Sequence, residues 1–122
     1  MIETINGVIH GIAPSKSNCY KIIKLGNHAS LAKTKVLKTY EDTFYMQVGK
    51  ARGAMIDDFF DFEVDVYYPS NRSDLDNSLK IILDCLQACN VIKNDNKCTK
   101  IVARKFIDKN DPRIEFKINL AK

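Results

Sequence analysis

The run Arg72-Ser73-Asp74-Leu75-Asp76-Asn77-Ser78-Leu79-Lys80 is where the side chains best suited to chemistry are most densely gathered. Asp74 and Asp76 stand two residues apart, so in an extended segment their carboxylates point the same way while Leu75 turns to the core. Paired hard oxygen donors suit Mg²⁺, which takes one or two carboxylates and completes its shell with water and phosphate. Acids are also ordinary in a helix's first turn, where they cap N–H groups and oppose the macrodipole. Asp76 alone reads as such a cap. Asp74 and Asp76 together crowd more charge than a cap requires, and they repel unless a cation or proton neutralises them. The helix start that follows offers backbone N–H groups that favour a phosphate. A calcium-binding EF-hand loop is excluded, because Ser78 and Leu79 fall where a ligand and a glycine are needed. Lys80 lies one helical turn beyond Asp76. It fits an i,i+4 ion pair of about 0.3–0.5 kcal/mol, and equally a cation beside a phosphate undergoing reaction. The sequence leaves both open.

The elements that must position these residues follow from periodicity. Residues 59 to 68 alternate, with Phe60, Phe62, Val64, Val66 and Tyr68 on one face and acids on the other, a half-buried strand leading into the run. A helix is expected from Asp76 to Cys89, with Leu79, Ile82, Leu83 and Leu86 buried, a capping box at Ser73 to Asp76, and Asn90 as its left-handed end. Asn94-Asp95-Asn96-Lys97 then reads as a turn. A chain returning along a strand from there could bring Asp95 near the Asp74/Asp76 pair. Upstream, residues 1 to 12 read as a strand interrupted at Asn6-Gly7, 14 to 18 as a loop, and Tyr20 to Leu25 as a short strand ended by Gly26-Asn27. From Thr34 the period is helical, with Leu37, Tyr40, Phe44 and Val48 on one stripe and Gly49 as the stop. Ile101 to Ile107 and Arg113 to Leu120 read as strands joined by a turn into an antiparallel hairpin. The expected architecture is one α+β domain over residues 1–122, a mostly antiparallel, mixed β-sheet packed against two main helices.

Composition narrows the class further. Residues 57 to 65 hold five acids and no base, whereas 93 to 105 hold five bases and one acid, within a net charge of +4. Clustered bases suit a polyanion such as DNA, although a solvated surface accounts for charge alone equally well. Cys19, Cys85, Cys89 and Cys98 form no CxxC pair and lack zinc-ligand spacing, and Cys85 and Cys89, four apart on a helical pattern, read as packed thiols. No apolar run is long enough to span a bilayer and the first residues lack secretory character, so a cytoplasmic protein is expected.

With these residues in view, the sequence resembles the RusA family of Holliday junction resolvases of bacteria and bacteriophages. The resemblance rests on Arg72-Ser73-Asp74-Leu75-Asp76-Asn77 with its leucine- and lysine-bearing helix, then Leu83-Asp84-Cys85-Leu86 and Asn94-Asp95. Pro14-Ser15-Lys16-Ser17-Asn18, Tyr40 and Pro112-Arg113-Ile114-Glu115 extend it over nearly the whole chain. It implies a RusA-like fold, a homodimer acting on branched DNA, Asp74, Asp76 and Asp95 as ligands of Mg²⁺ (with Mn²⁺ as a substitute), and Lys80 as the essential lysine. No organic cofactor and no membrane are implied. Asn94 departs from the family's usual acidic pair, and Cys89-Asn90 stands where a small residue and glycine are usual.

The activity so implied is metal-assisted phosphodiester hydrolysis leaving 5′-phosphate and 3′-hydroxyl ends. Lys16, Lys21, Arg72, Lys97, Lys100, Arg104 and Lys105 are the candidate contacts to the DNA backbone. Rival expectations are a junction- or DNA-binding protein without nuclease activity, a nucleotide phosphohydrolase, and a structural phage protein.

Overall fold

The alternation at residues 60–68 dictates the centre of the molecule. In a computed structural model that describes residues 4–120, strand β4 (Phe60–Tyr68) leaves Phe60, Phe62, Val64, Val66 and Tyr68 with no exposed surface. Each such side chain contributes about 1.5–3 kcal/mol through burial, so this strand has to lie inside a sheet. It does: a four-stranded sheet runs in the order β1 (Thr4–His10), β6 (Arg113–Leu120), β4, β5 (Cys98–Ile107). β1 and β4 are both antiparallel to β6, and β5 is parallel to β4. The α+β reading with a mixed sheet holds.

The expected hairpin of β5 with β6 does not form, because β4 lies between them. Pairing β4 on both edges satisfies the backbone of the most buried strand. The connection 108–112 is long enough to cross its end, two strand spacings of about 4.8 Å each. Asp108 N donates to Tyr68 O at 2.8 Å as the connection passes. Arg113 fastens it, donating to Asp108 and Glu115 and lying 3.8 Å over the Tyr67 ring.

Nor is β1 interrupted at Asn6-Gly7. Gly7 pairs directly with Phe116, and a Cβ there would come within 2.7 Å of the ring. The glycine makes room for Phe116, which in turn stacks on Phe44 of helix α1 (Lys35–Gln47) at 6.2 Å. That helix begins where expected, with Thr34 Oγ1 accepting from Leu37 N, and buries the foreseen stripe. Gly49, at φ +63°, ends it.

Helix α2 (Asp76–Ala88) carries the chain back so that β5 can run parallel to β4. Its buried stripe is broader than expected and turned toward Ser78, Ile81 and Cys85, with Leu79 only half-buried. Asn90 takes the left-handed end at φ +59°. Burial, and secondarily the charge of Glu41, pushes the Cys85 thiol up to about 12, as befits a packing residue rather than a reactive one.

Outside the main sheet, β2 (Tyr20–Leu25) and β3 (His28–Lys33) form a separate two-stranded ribbon. β3 was not expected, since His28-Ala-Ser-Leu-Ala-Lys33 is poor strand composition. The Gly26-Asn27 pair decides it: Gly26 at φ +63° opens a two-residue hairpin turn. No helix among the described residues is long and apolar enough to cross a membrane.

Candidate functional site

The segment from β4 to α2 is held from below. Tyr68 is buried by its position on β4, and its hydroxyl donates to Ser78 Oγ at 2.7 Å, tying the strand's last residue to the helix's first turn. Burial raises the Tyr68 pKa, with the charges of Asp76 and Asp74 adding to it, so both carboxylates lie within electrostatic reach of the phenol. Lys105 spans the loop, donating to Ser73 O at 2.5 Å and Asn71 O at 3.5 Å while lying over the Tyr68 ring. Leu75 packs against the core as expected.

The start of α2 differs from both expectations for it. Leu75 already has helical angles (φ −58°, ψ −44°), and Asn77 N and Ser78 N donate to Asp74 O and Leu75 O. An extended segment would have aligned Asp74 with Asp76; in a helical turn, residues two apart diverge. No side chain caps the helix, so the Ser73–Asp76 capping box is not formed. Asp74 and Asp76 are exposed, and among the described residues neither carboxylate has a hydrogen-bond or ion-pair partner.

Lys80 is engaged elsewhere. Its ammonium lies 2.9 Å from Asp84 Oδ1 and 2.5 Å from Asp95 Oδ2, and these two bonds raise its pKa, Asp95 first. Of the two roles left open for Lys80, an i,i+4 ion pair is made, but with Asp84 and not with Asp76. Asp95 opens a 3₁₀ turn (Asp95–Lys97); its N–H donates to Gln87 Oε1 at 3.0 Å, and Asn94 Oδ1 accepts from Asn96 N. The return of the chain thus brings Asp95 to the Lys80 face of α2. Among the described residues, no group of three or more His, Cys, Asp or Glu side chains is gathered closely enough to hold a metal ion. The donors are nevertheless all carboxylate oxygens, the chemistry of a hard cation, and two of them suffice when water and phosphate fill the remaining positions.

The remaining basic candidates divide. Arg72, Lys16, Lys21 and Lys100 are exposed, and none has an ion-pair partner among the described residues. Lys97 lies 5.1 Å over the Phe59 ring. Arg104 is occupied on the open face of the sheet, bonded to Asp65 at 2.7 Å and near Glu63. Lys105 holds the loop. Sequence reasoning missed Ser78 and Gln87 as positioning groups. Ser78 shares the apolar stripe of α2 at i,i+3 and i,i+4 from Ile81 and Ile82, a spacing that was legible; Gln87 left no signal.

The family model for endodeoxyribonuclease RusA matches residues 13–119, nearly the whole of the chain. The chain belongs to the RusA family. It is accordingly an endodeoxyribonuclease by family, and the match takes in the Asp74–Lys80 run, Asp95 and both helices. No curated protein matches the chain significantly.

Proposed function

We propose that this RusA-family chain is a Mg²⁺-dependent endonuclease that resolves Holliday junctions by paired symmetric nicks, working as a homodimer in DNA recombination and repair in the cytoplasm. The observation that carries this reading is the pair of exposed, unpartnered carboxylates, Asp74 and Asp76, at the start of a helix that bears Lys80 one turn on. Asp74 and Asp76 would hold the cation, with Mn²⁺ able to substitute. Asp95 would be the third ligand. Since the three are not gathered within one chain, the reading requires that DNA or a second protomer bring Asp95 in. Bound there, the metal would polarise the phosphate and lower the pKa of a water.

The chain's own residues then have separate duties. Lys80 exchanges its carboxylates for the phosphate and offsets charge in the transition state. Tyr68, Ser78 and Lys105 keep the carboxylate loop in register with α2. Exposed Lys16, Lys21, Arg72 and Lys100, with half-buried Lys97, supply backbone contacts that position DNA without reading its sequence. A two-fold dimer suits a four-way junction because two symmetric nicks need two equivalent sites.

A synthetic four-way junction with Mg²⁺ tests the reading. Wild type is expected to make paired nicks and Asp76→Asn to bind without cutting. The engagement of Asp95 by Lys80 favours a second reading, junction binding without cleavage; binding by both proteins with cutting by neither would establish it.

A further inference from the structure

The β2–β3 ribbon is unlike the rest of the molecule. Ile22 and Leu31 are directly paired across it, yet they are 72% and 69% exposed, and Leu25 near the turn is 64% exposed. A two-stranded hairpin with apolar residues bared to water is marginal by itself, and nothing among the described residues covers this pair. The ribbon is nevertheless firmly rooted. Thr34 N donates to Cys19 O and Thr34 Oγ1 to Asn18 O, Cys19 is buried, and the turn Lys16–Asn18 packs against α2. The arm thus stands on the helix that carries Asp76 and Lys80.

Its charge is one-sided. From Tyr20 to Lys33 there are three lysines and no acid, and one of the three, Lys33, is paired with Glu41 of α1 at 2.9 Å. Lys21 and Lys24 lie on opposite faces of β2, both exposed, and neither has an ion-pair partner among the described residues. Lys24 shares the Ile22–Leu31 face. Such a surface complements a polyanion. A second copy of the chain offers it less, because three of the five acids at 57–65, Asp57, Glu63 and Asp65, are already met by Lys93 and Arg104.

We propose that the β2–β3 ribbon is an arm for branched DNA: Lys21 and Lys24 take backbone phosphates, and the Ile22–Leu31 pair packs on bases left unstacked at the branch. The chemistry is that of apolar side chains set against base faces with lysines beside them, a combination that proteins kinking or opening DNA use. Plain duplex offers the lysines their phosphates but hides its base faces, so the aliphatic pair discriminates branched from linear DNA. This inference rests on the reading of the chain as a nuclease for branched DNA.

Binding of the full chain to a four-way junction and to a linear duplex, measured in EDTA so that cutting plays no part, tests it. Ile22→Ser with Leu31→Ser is expected to weaken junction binding roughly tenfold and leave duplex binding unchanged. Lys21→Ala with Lys24→Ala is expected to lower the salt dependence on both DNAs by about 2 in the log–log slope. Junction binding and salt slopes equal to wild type in both variants would overturn the proposal. So would loss of affinity for both DNAs in the serine variant together with a change from dimer to monomer in sedimentation, which would make the arm an interface between copies. Arm-dependent junction binding by a protein that never nicks in Mg²⁺ would sustain the arm and remove the nuclease reading; nicking by a protein whose arm variants bind normally would do the reverse.

Discussion

Acids stand at two places beside helix α2, and the chain treats them differently. Around the helix's middle, Asp84 and Asp95 share the Lys80 ammonium, and the backbone of Asp95 is held by Gln87. At its first turn, Asp74 and Asp76 stand exposed with no side-chain partner among the described residues, although the loop bearing them is fixed by Lys105, Tyr68 and Ser78. One acidic group is paired from within; the other is positioned but left without a partner among the described residues. Two neighbouring carboxylates held without a counter-charge cost stability, and on the proposed function that cost is relieved by a cation and a phosphate from outside. Lys80 is bonded to the first group and lies one helical turn beyond Asp76 of the second.

The strongest way to break this comparison is to remove the link. Lys80→Gln is expected to lower the rate of junction nicking by about 10²–10³-fold with the fold intact by circular dichroism. A rate within a few-fold of wild type would reduce Lys80 to a partner for Asp84 and Asp95. Next in size is the response to metal. Mg²⁺ at ten times its dissociation constant is expected to stabilise the protein by about 1.4 kcal/mol, a few degrees in Tm, and Asp74→Asn to remove most of that gain while slightly raising the Tm without metal. A melting curve indifferent to millimolar Mg²⁺ would leave the first turn of α2 without its proposed ligand. The smallest effect belongs to Asp84→Asn, which breaks only a half-exposed i,i+4 pair: a stability change within about 0.5 kcal/mol is expected by denaturant titration. A much larger loss would mean that the Lys80 network carries the fold and is not exchangeable.

Much of this was legible along the chain. The period-two burial of β4, the stripe of α1 with its Thr34 cap, the left-handed Asn90 and the limits of β6 all rest on local periodicity or local backbone preference, which adjacent residues fix among themselves. The Arg72–Lys80 run was legible for the same reason, as types and spacings within nine positions. What failed was non-local. Gly7 looks like a turn residue until Phe116, far away in sequence, occupies the space of its missing side chain. β5 and β6 look like a hairpin until β4 claims both as neighbours.

The sequence by itself determined both main helices and most of the strands, the buried faces of β4 and α1, and which acids and bases could do chemistry, because each of these depends on residues within a turn or two. Only the tertiary structure decided which carboxylates keep a partner. It gave Asp95 to Lys80 and left Asp74 and Asp76 uncompensated, and it raised the β2–β3 arm with Ile22 and Leu31 uncovered. The reason is geometric: charge pairing and burial are settled by groups that meet across elements, and the course of α2 and β5 through space is set by how the whole sheet packs.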